Sequence, residues 1–302
     1  MKALVTGGAG FIGSHIVDKL LISGWDVIVI DNESATSNEE FYWNDAAHNY
    51  KYDICEYENI FPLFDGVDVV FHLAAESRIQ PAIENPIQAS KTNVMGTCSV
   101  LQCARQKGVK RVIYSSTSSA YGVGNEPPLR EEMIRDCLNP YSVTKCAGED
   151  LCTMYTKLFG LETVIFRYFN VYGDRQPLHG QYAPVVGLFL ELYKKNKPMT
   201  IVGDGTQRRD FTHVLDVVNA NLLAATTTNK DSFGEIFNVG AGVNYSVLEL
   251  AKLIGGEYIF IPERIGESKI TLADTSKIQR ILDWSSSRSF KEYVLKESRK
   301  SS

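Results

Sequence analysis

Tyr141-Ser-Val-Thr-Lys145 sets a phenol and a primary amine four residues apart, and Ser115-Ser-Thr117 places hydroxyls upstream of them. Asn139 and Pro140 just before the pair are residue types that cap a helix and occupy its first position. Tyr141 and Lys145 are therefore expected one turn apart on one helix face. An ammonium beside a phenol favours phenolate, so Tyr141 can serve as a base near neutral pH while Thr117 orients a reacting hydroxyl. Alone, a Tyr-x-x-x-Lys spacing is more often a piece of helix surface. Its meaning depends on what precedes it.

What precedes it is Lys2-Ala-Leu-Val-Thr6 followed by Gly7, Gly10, Phe11, Ile12 and Gly13, a Gly-x-x-Gly-x-x-Gly turn between a strand pattern and a helix pattern. Gly7 permits the tight turn, Gly10 lets backbone approach a pyrophosphate, and Gly13 lets the helix pack on the strand. The helix N-terminus attracts the anion. The next strand pattern ends at Asp31, whose carboxylate suits the hydroxyls of an adenosine ribose and repels a 2′-phosphate. Asn32 follows, and no Lys or Arg appears before Lys51, so NAD is favoured over NADP. The positive nicotinamide ring would reinforce a Tyr141 phenolate.

The elements that must hold these groups read as a βαβ series. Strands are expected at Lys2–Thr6, Asp26–Asp31, Asp68–His72, Arg111–Ser115 and Leu161–Arg167, with a long helix from Asn139-Pro140 to Phe159. Apolar runs such as Val67-Asp-Val-Val-Phe71 suit strands covered on both faces. The expected fold is α/β, a Rossmann-type doubly wound parallel sheet with a smaller C-terminal α/β substrate lobe. Residues 1–168 form the NAD-binding part, and 169–302 mainly the other lobe, with some segments returning to the first. Gly- and Pro-rich loops after Asn170 mark the change, and the last few residues of the polar stretch Ser285–Ser302 are expected to fray.

Composition excludes several classes. The 302 residues are 44% hydrophobic and 22% charged, with formal net charge −5 and pI near 5.6, so there is no basic field for nucleic acid. Met1–Ile30 is interrupted by Gly, Ser, His, Asp and Lys, which fits neither a signal peptide nor a membrane span, and a cytoplasmic location follows. Six cysteines without a Cys-x-x-Cys pair are expected as buried free thiols, and the scattered histidines, His213 included, suggest no metal site.

With Thr6–Gly13, Asp31-Asn32, Asp53-Ile54, His72-Leu-Ala-Ala75, Asn93-Val-Met-Gly-Thr97, Ser115–Gly122, Tyr141–Lys145 and Arg167–Gly173 in this order, almost the whole chain resembles the extended short-chain dehydrogenase/reductase family. Within it the closest likeness is to the UDP-sugar 4-epimerases. The resemblance implies that Asp53 and Ile54 border the adenine, that Leu73, Ala74, Ala75, Asn93, Ser115 and Tyr168 lie about the cofactor, and that Lys145 holds the nicotinamide ribose. It further implies that Asn170 and Val185 meet the substrate, that Arg209 and Arg264 clamp its diphosphate, and that Glu267 meets the uridine ribose. A homodimer through helices near Pro86–Lys107 and Pro140–Phe159 is implied as well.

Related dehydratases and decarboxylases carry an acid just after the catalytic Thr or Ser, whereas Ser118 and Ser119 stand here. Oxidation and re-reduction at one carbon remain: Tyr141 takes the C4 hydroxyl proton, C4 gives up a hydride, the 4-keto sugar rotates, and hydride returns to the other face. The position that gates the sugar pocket by resemblance is Thr271, too small to exclude an N-acetyl group, so UDP-GlcNAc/UDP-GalNAc is expected, with UDP-Glc/UDP-Gal beside it. Lys269 leaves a UDP-glucuronate substrate open. A nucleotide-sugar dehydratase or decarboxylase, and a non-catalytic NAD sensor, are the other readings. Two segments depart from the family pattern: the loop Glu76–Pro81, and Glu33–Tyr50, which lacks the usual glycine.

Overall fold

The computed structural model describes residues 1–35, 38, 40–178, 184–262 and 269–300. In chain order its strands are β1 (Lys2–Thr6), β2 (Asp26–Ile30), β3 (His48–Tyr50), β4 (Val69–His72), β5 (Arg111–Thr117), β6 (Glu162–Tyr168), β7 (Val171–Tyr172), β8 (Met199–Val202), β9 (Arg208–Asp210), β10 (Thr212–His213), β11 (Glu235–Val239), β12 (Asn244–Ser246) and β13 (Tyr258–Ile261). Seven of them form one parallel sheet in the order β11-β6-β5-β4-β1-β2-β3. The five strands expected from apolar runs are all present. Strand β5 continues two residues beyond the expected end, which carries Thr117 inside the sheet rather than past it.

Alternation along the central strands sends side chains to both faces, because successive residues of a strand point in opposite directions. Ala3, Val5, Val69 and Phe71 pack under helices Phe11–Ile22 and Val214–Thr226, while Leu4, Val70, Val112 and Tyr114 pack under Thr97–Gln106 and Pro140–Phe159. Two covered faces explain why these strands read as continuous apolar runs. Strand order reverses between β1 and β4, and in such sheets a crevice opens at the carboxyl ends of the strands on either side of that reversal.

A third apolar cluster, around Tyr172, Phe189, Phe211, Leu250 and Phe290, joins helices Val185–Lys194, Val247–Ile254 and Phe290–Arg299 to the small strand pairs β8–β13 and β9–β12. This is the smaller α/β lobe. Within the polar tail, Phe290 and Val294 are buried on helix Phe290–Arg299. All six cysteines are free; Cys103, Cys146 and Cys152 are buried, but Cys55, Cys98 and Cys137 are only partly so. Among the described residues no helix is long and apolar enough to cross a membrane.

Candidate active site

The Gly7–Gly13 turn is shaped by the absence of side chains. Gly7 has φ +68°, and a Cβ there would come within 2.7 Å of the Ala74 amide nitrogen; one at Gly13 would lie 2.1 Å from the Gly7 carbonyl oxygen. Gly13 thus lets helix Phe11–Ile22 sit against the turn. Gly10 differs: its nearest protein contact would be 3.4 Å away, and it is the helix N-cap without any side-chain acceptor on the first-turn amides. Those amides are left for an anionic ligand.

At the end of β2, Asp31 accepts hydrogen bonds from the Ala9 amide (3.1 Å) and the Glu33 amide (2.8 Å). Burial raises its pKa, and these two donors pull it back. The carboxylate is thereby fixed to the glycine turn it serves. Asn32 donates to Asp53 (3.2 Å), whose other oxygen caps the Cys55 amide.

Helix Pro140–Phe159 begins as its sequence dictates. Asn139 Oδ1 accepts from the Ser142 amide at 2.9 Å, the Ser142 hydroxyl faces the Asn139 amide in return, and Pro140 takes the first position. Tyr141 and Lys145 then project toward the end of β5, where Thr117 stands in extended backbone. Burial raises the Tyr141 pKa, opposed by a hydrogen bond with Thr117 and by the positive charge of Arg78. Burial also pulls the Lys145 ammonium down to about 8. Its Nζ lies 4.2 Å from the centre of the Tyr114 ring, a cation–π contact that holds the charge while it is desolvated.

A cavity of ≈460 Å³ runs from the glycine turn to this trio. Of the sequence-predicted cofactor residues, Gly7, Gly10, Phe11, Ile12, Gly13, Asp31, Asn32, Ile54, Leu73, Ala74, Ala75, Ser115, Tyr141, Lys145 and Tyr168 line it. Asp53 and Asn93 do not. Asp53 stands behind Asn32, and buried Asn93 bonds the backbone of Glu76 at both its amide and its carbonyl, and donates to Thr144. Both lie one residue removed from the cavity because their polar groups are already committed to the chain.

Of the expected substrate residues, Thr117 and Asn170 line the cavity. Asn170 sits at φ +30° and donates to Asp210 O (3.1 Å) and Thr271 Oγ1 (3.2 Å). Thr271 is therefore behind Asn170 rather than in the wall, its hydroxyl also accepting the Asp210 amide. Val185 opens helix Val185–Lys194 just after the lining residue Pro184. Arg209 lies outside the lining, its guanidinium donating to Arg208 O and Lys269 O. Lys269 is exposed and is not among the residues that line the cavity. Arg264 and Glu267 lie outside the described residues.

Two participants escaped the sequence reading. Glu149, fully buried, receives Arg167 through two bonds (2.9 and 2.8 Å) and the Ser116 hydroxyl at 2.6 Å. It therefore ties helix Pro140–Phe159 to β5 and β6. The signal was present, since Tyr141, Lys145 and Glu149 repeat every four residues on one face. Arg78 lines the cavity with Tyr141 and Thr117; only the odd composition of its loop pointed to it. His72, by contrast, is structural: bonded to Thr6 at 2.7 Å and Thr97 at 2.9 Å, it is held neutral as burial lowers its pKa to about 3.

A crevice at the sheet's switch point, with a dinucleotide-sized floor and a phenol–amine pair at its far end, is that of a Rossmann-fold enzyme acting with a nicotinamide cofactor. The chain belongs to the NAD dependent epimerase/dehydratase family, whose profile matches residues 3–240. It is 38% identical over 299 residues to a putative UDP-glucose 4-epimerase of Methanocaldococcus jannaschii, covering 96% of this chain and 95% of that one. In structure it is similar to the UDP-glucose 4-epimerase of Thermotoga maritima solved with UDP-glucose, at TM-score 0.93 and 35% identity over 99% of this chain and 98% of the other. It is also similar to the UDP-glucuronic acid 4-epimerase of Bacillus cereus, solved with UDP-glucuronic acid and NAD, at TM-score 0.90 and 32% identity over 100% and 99%. NAD is the cofactor, and the open Gly10 turn and the anchored Asp31 carboxylate fit it.

Proposed function

We propose that this NAD-dependent UDP-sugar 4-epimerase acts on UDP-N-acetylglucosamine and UDP-N-acetylgalactosamine, and also on UDP-glucose and UDP-galactose. The observation that carries the reaction is the convergence of Thr117, Tyr141 and Lys145 on one cavity, with Ser118 and Ser119 rather than a carboxylate beside them. Bound NAD supplies a reversible hydride acceptor. Tyr141 takes the proton of the C4 hydroxyl and later returns it, Thr117 orients that hydroxyl, and the Thr117 hydrogen bond and the Arg78 charge oppose the burial that raises the Tyr141 pKa. Dehydration or decarboxylation would need a further acid or base, which serine supplies poorly.

In this reading the residues of the glycine turn and Asp31 hold the dinucleotide, residues 169–302 mainly hold the nucleotide sugar, and Asn170, Arg209, Arg264 and Glu267 grip the UDP. The protein works in the cytoplasm. Incubation with UDP-GlcNAc without added reductant should give a C4 epimer of unchanged mass; loss of water or carbon dioxide would point to the lyase reading instead.

The sugar preference is assigned to Thr271, whose hydroxyl accepts from the lining residue Asn170 at 3.2 Å, so that a larger side chain there would press Asn170 toward the cavity. In a Thr271→Tyr variant the ratio of kcat/KM for UDP-GlcNAc over UDP-Glc is expected to fall about 10- to 100-fold, the effect of crowding worth 1–3 kcal/mol. An unchanged ratio would remove Thr271 from the gate.

The chain is also proposed to form a homodimer. Ile87, Met95, Val143 and Leu158 are 82%, 62%, 52% and 67% exposed on Pro86–Ser90, the following turn and Pro140–Phe159, an apolar surface that pairing of these helices would cover. Light scattering should give about twice the 33.7 kDa chain mass, whereas a monomer at micromolar concentration would contradict the pairing.

A further inference from the structure

The loop that departs from the family pattern, Glu76–Pro81, puts an arginine in the cavity close enough for its charge to act on the Tyr141 phenol. Arg78 lines the same cavity as Tyr141, Thr117 and Ser119. Its Nε is buried without a hydrogen-bond partner, and the Glu76 charge acts on it from a distance. Glu76, the nearest carboxylate in sequence, is turned to the backbone amides of Ser77 and Arg78. The loop is fixed at both ends: Asn93 bonds the Glu76 amide and carbonyl at 2.8 and 3.0 Å, and the Arg78 carbonyl accepts the Ala82 amide at the start of helix Ile79–Glu84. A guanidinium held in place and desolvated by burial, with its Nε unsatisfied, is costly in the free protein and becomes favourable when an anion meets it.

We propose that Arg78 is a carboxylate-recognising residue of the sugar pocket, binding the C6 carboxylate of a UDP-hexuronate while Tyr141 acts on the adjoining C4. The inference rests on the 4-epimerase reading and extends its substrate class. The planar fork of arginine matches a carboxylate through two parallel hydrogen bonds. C6 is attached to C5, the neighbour of C4, so a cation beside Tyr141 is in reach of it. The substrate diphosphate is attached at C1, across the ring. Thr271 governs a different substituent, at C2, so a uronate with or without a 2-acetamido group fits both features.

The test uses the NAD-loaded enzyme and compares UDP-glucuronate with UDP-glucose. In Arg78→Gln the ratio of kcat/KM for UDP-glucuronate over UDP-glucose is expected to fall about 10- to 100-fold, the range of a charge-assisted hydrogen bond, with Arg78→Lys between the two. An unchanged ratio with both substrates impaired would overturn the proposal, since Arg78 would then serve Tyr141 or the diphosphate. So would a wild-type enzyme that converts UDP-glucose and leaves UDP-glucuronate untouched. Turnover of no UDP-sugar at all would instead defeat the epimerase reading. If Arg78→Gln does not fold, calorimetric titration of the wild type decides: tighter binding of UDP-glucuronate than of UDP-glucose supports the site, and equal binding overturns it.

Discussion

Replacing Tyr141 by phenylalanine is expected to lower kcat for UDP-sugar epimerisation by about 10²- to 10⁴-fold, the usual worth of a positioned general base, while the protein stays folded and keeps its NAD. The helix that carries Tyr141 is set by the Asn139–Ser142 capping box and by Pro140, none of which involves the phenol. The lost hydroxyl faces the cavity and Thr117 rather than the core. Removing it leaves the ring and the helix intact but nothing to accept the C4 proton. Steady-state kinetics beside a thermal melt separates the two effects. A variant with near-normal kcat would refute the role of Tyr141, and a melt lowered by tens of degrees would mean that the phenol is structural.

Glu149→Ala is expected to be the most damaging single change away from the reacting groups, costing about 3–5 kcal/mol of folding stability. Glu149 is fully buried and answers an equally buried Arg167, with Ser116 sharing one oxygen and Arg135 approaching the other at 3.5 Å. Its charge helps hold the Arg167 pKa above that of free arginine against the cost of burial. Truncation leaves Arg167 charged in the core without a counter-ion, and that penalty exceeds the worth of the pair itself. Because Glu149 lies one turn beyond Lys145, helix Pro140–Phe159 also loses its tie to β5 and β6. Denaturant unfolding of the two proteins measures the difference; a loss under 1 kcal/mol would show that Arg167 finds another partner.

The sequence made the large sheet and the cofactor end of the site legible because both follow from local rules. Fully covered parallel strands read as apolar runs, the glycine turn is contiguous, and Asn139-Pro140 announces the helix that carries Tyr141 and Lys145. Strand β11 and the small pairs β8–β13 and β9–β12 could not be found in this way. The strands of the small pairs are only three or four residues long, and β11, though as long as β1, takes its place only by pairing with β6, so tertiary packing decides them. The sugar end was hardest to read for the same reason. Asn170, Thr271 and Asp210 meet across a hundred residues, and Arg78 gains its meaning only from the cavity it shares with Tyr141. Lys269, close to Thr271 in sequence, turned out to face solvent.

The most direct test of the account follows the hydrogen at C4. UDP-glucose deuterated at C4, incubated with the purified NAD-loaded enzyme in ordinary water, should yield UDP-galactose that retains the deuterium at C4, because the hydrogen removed during oxidation returns to the same carbon without exchanging with solvent. Product whose C4 label has been replaced by solvent hydrogen, or product with altered mass, would contradict oxidation and re-reduction at that carbon, and with it the roles given to Thr117, Tyr141 and Lys145.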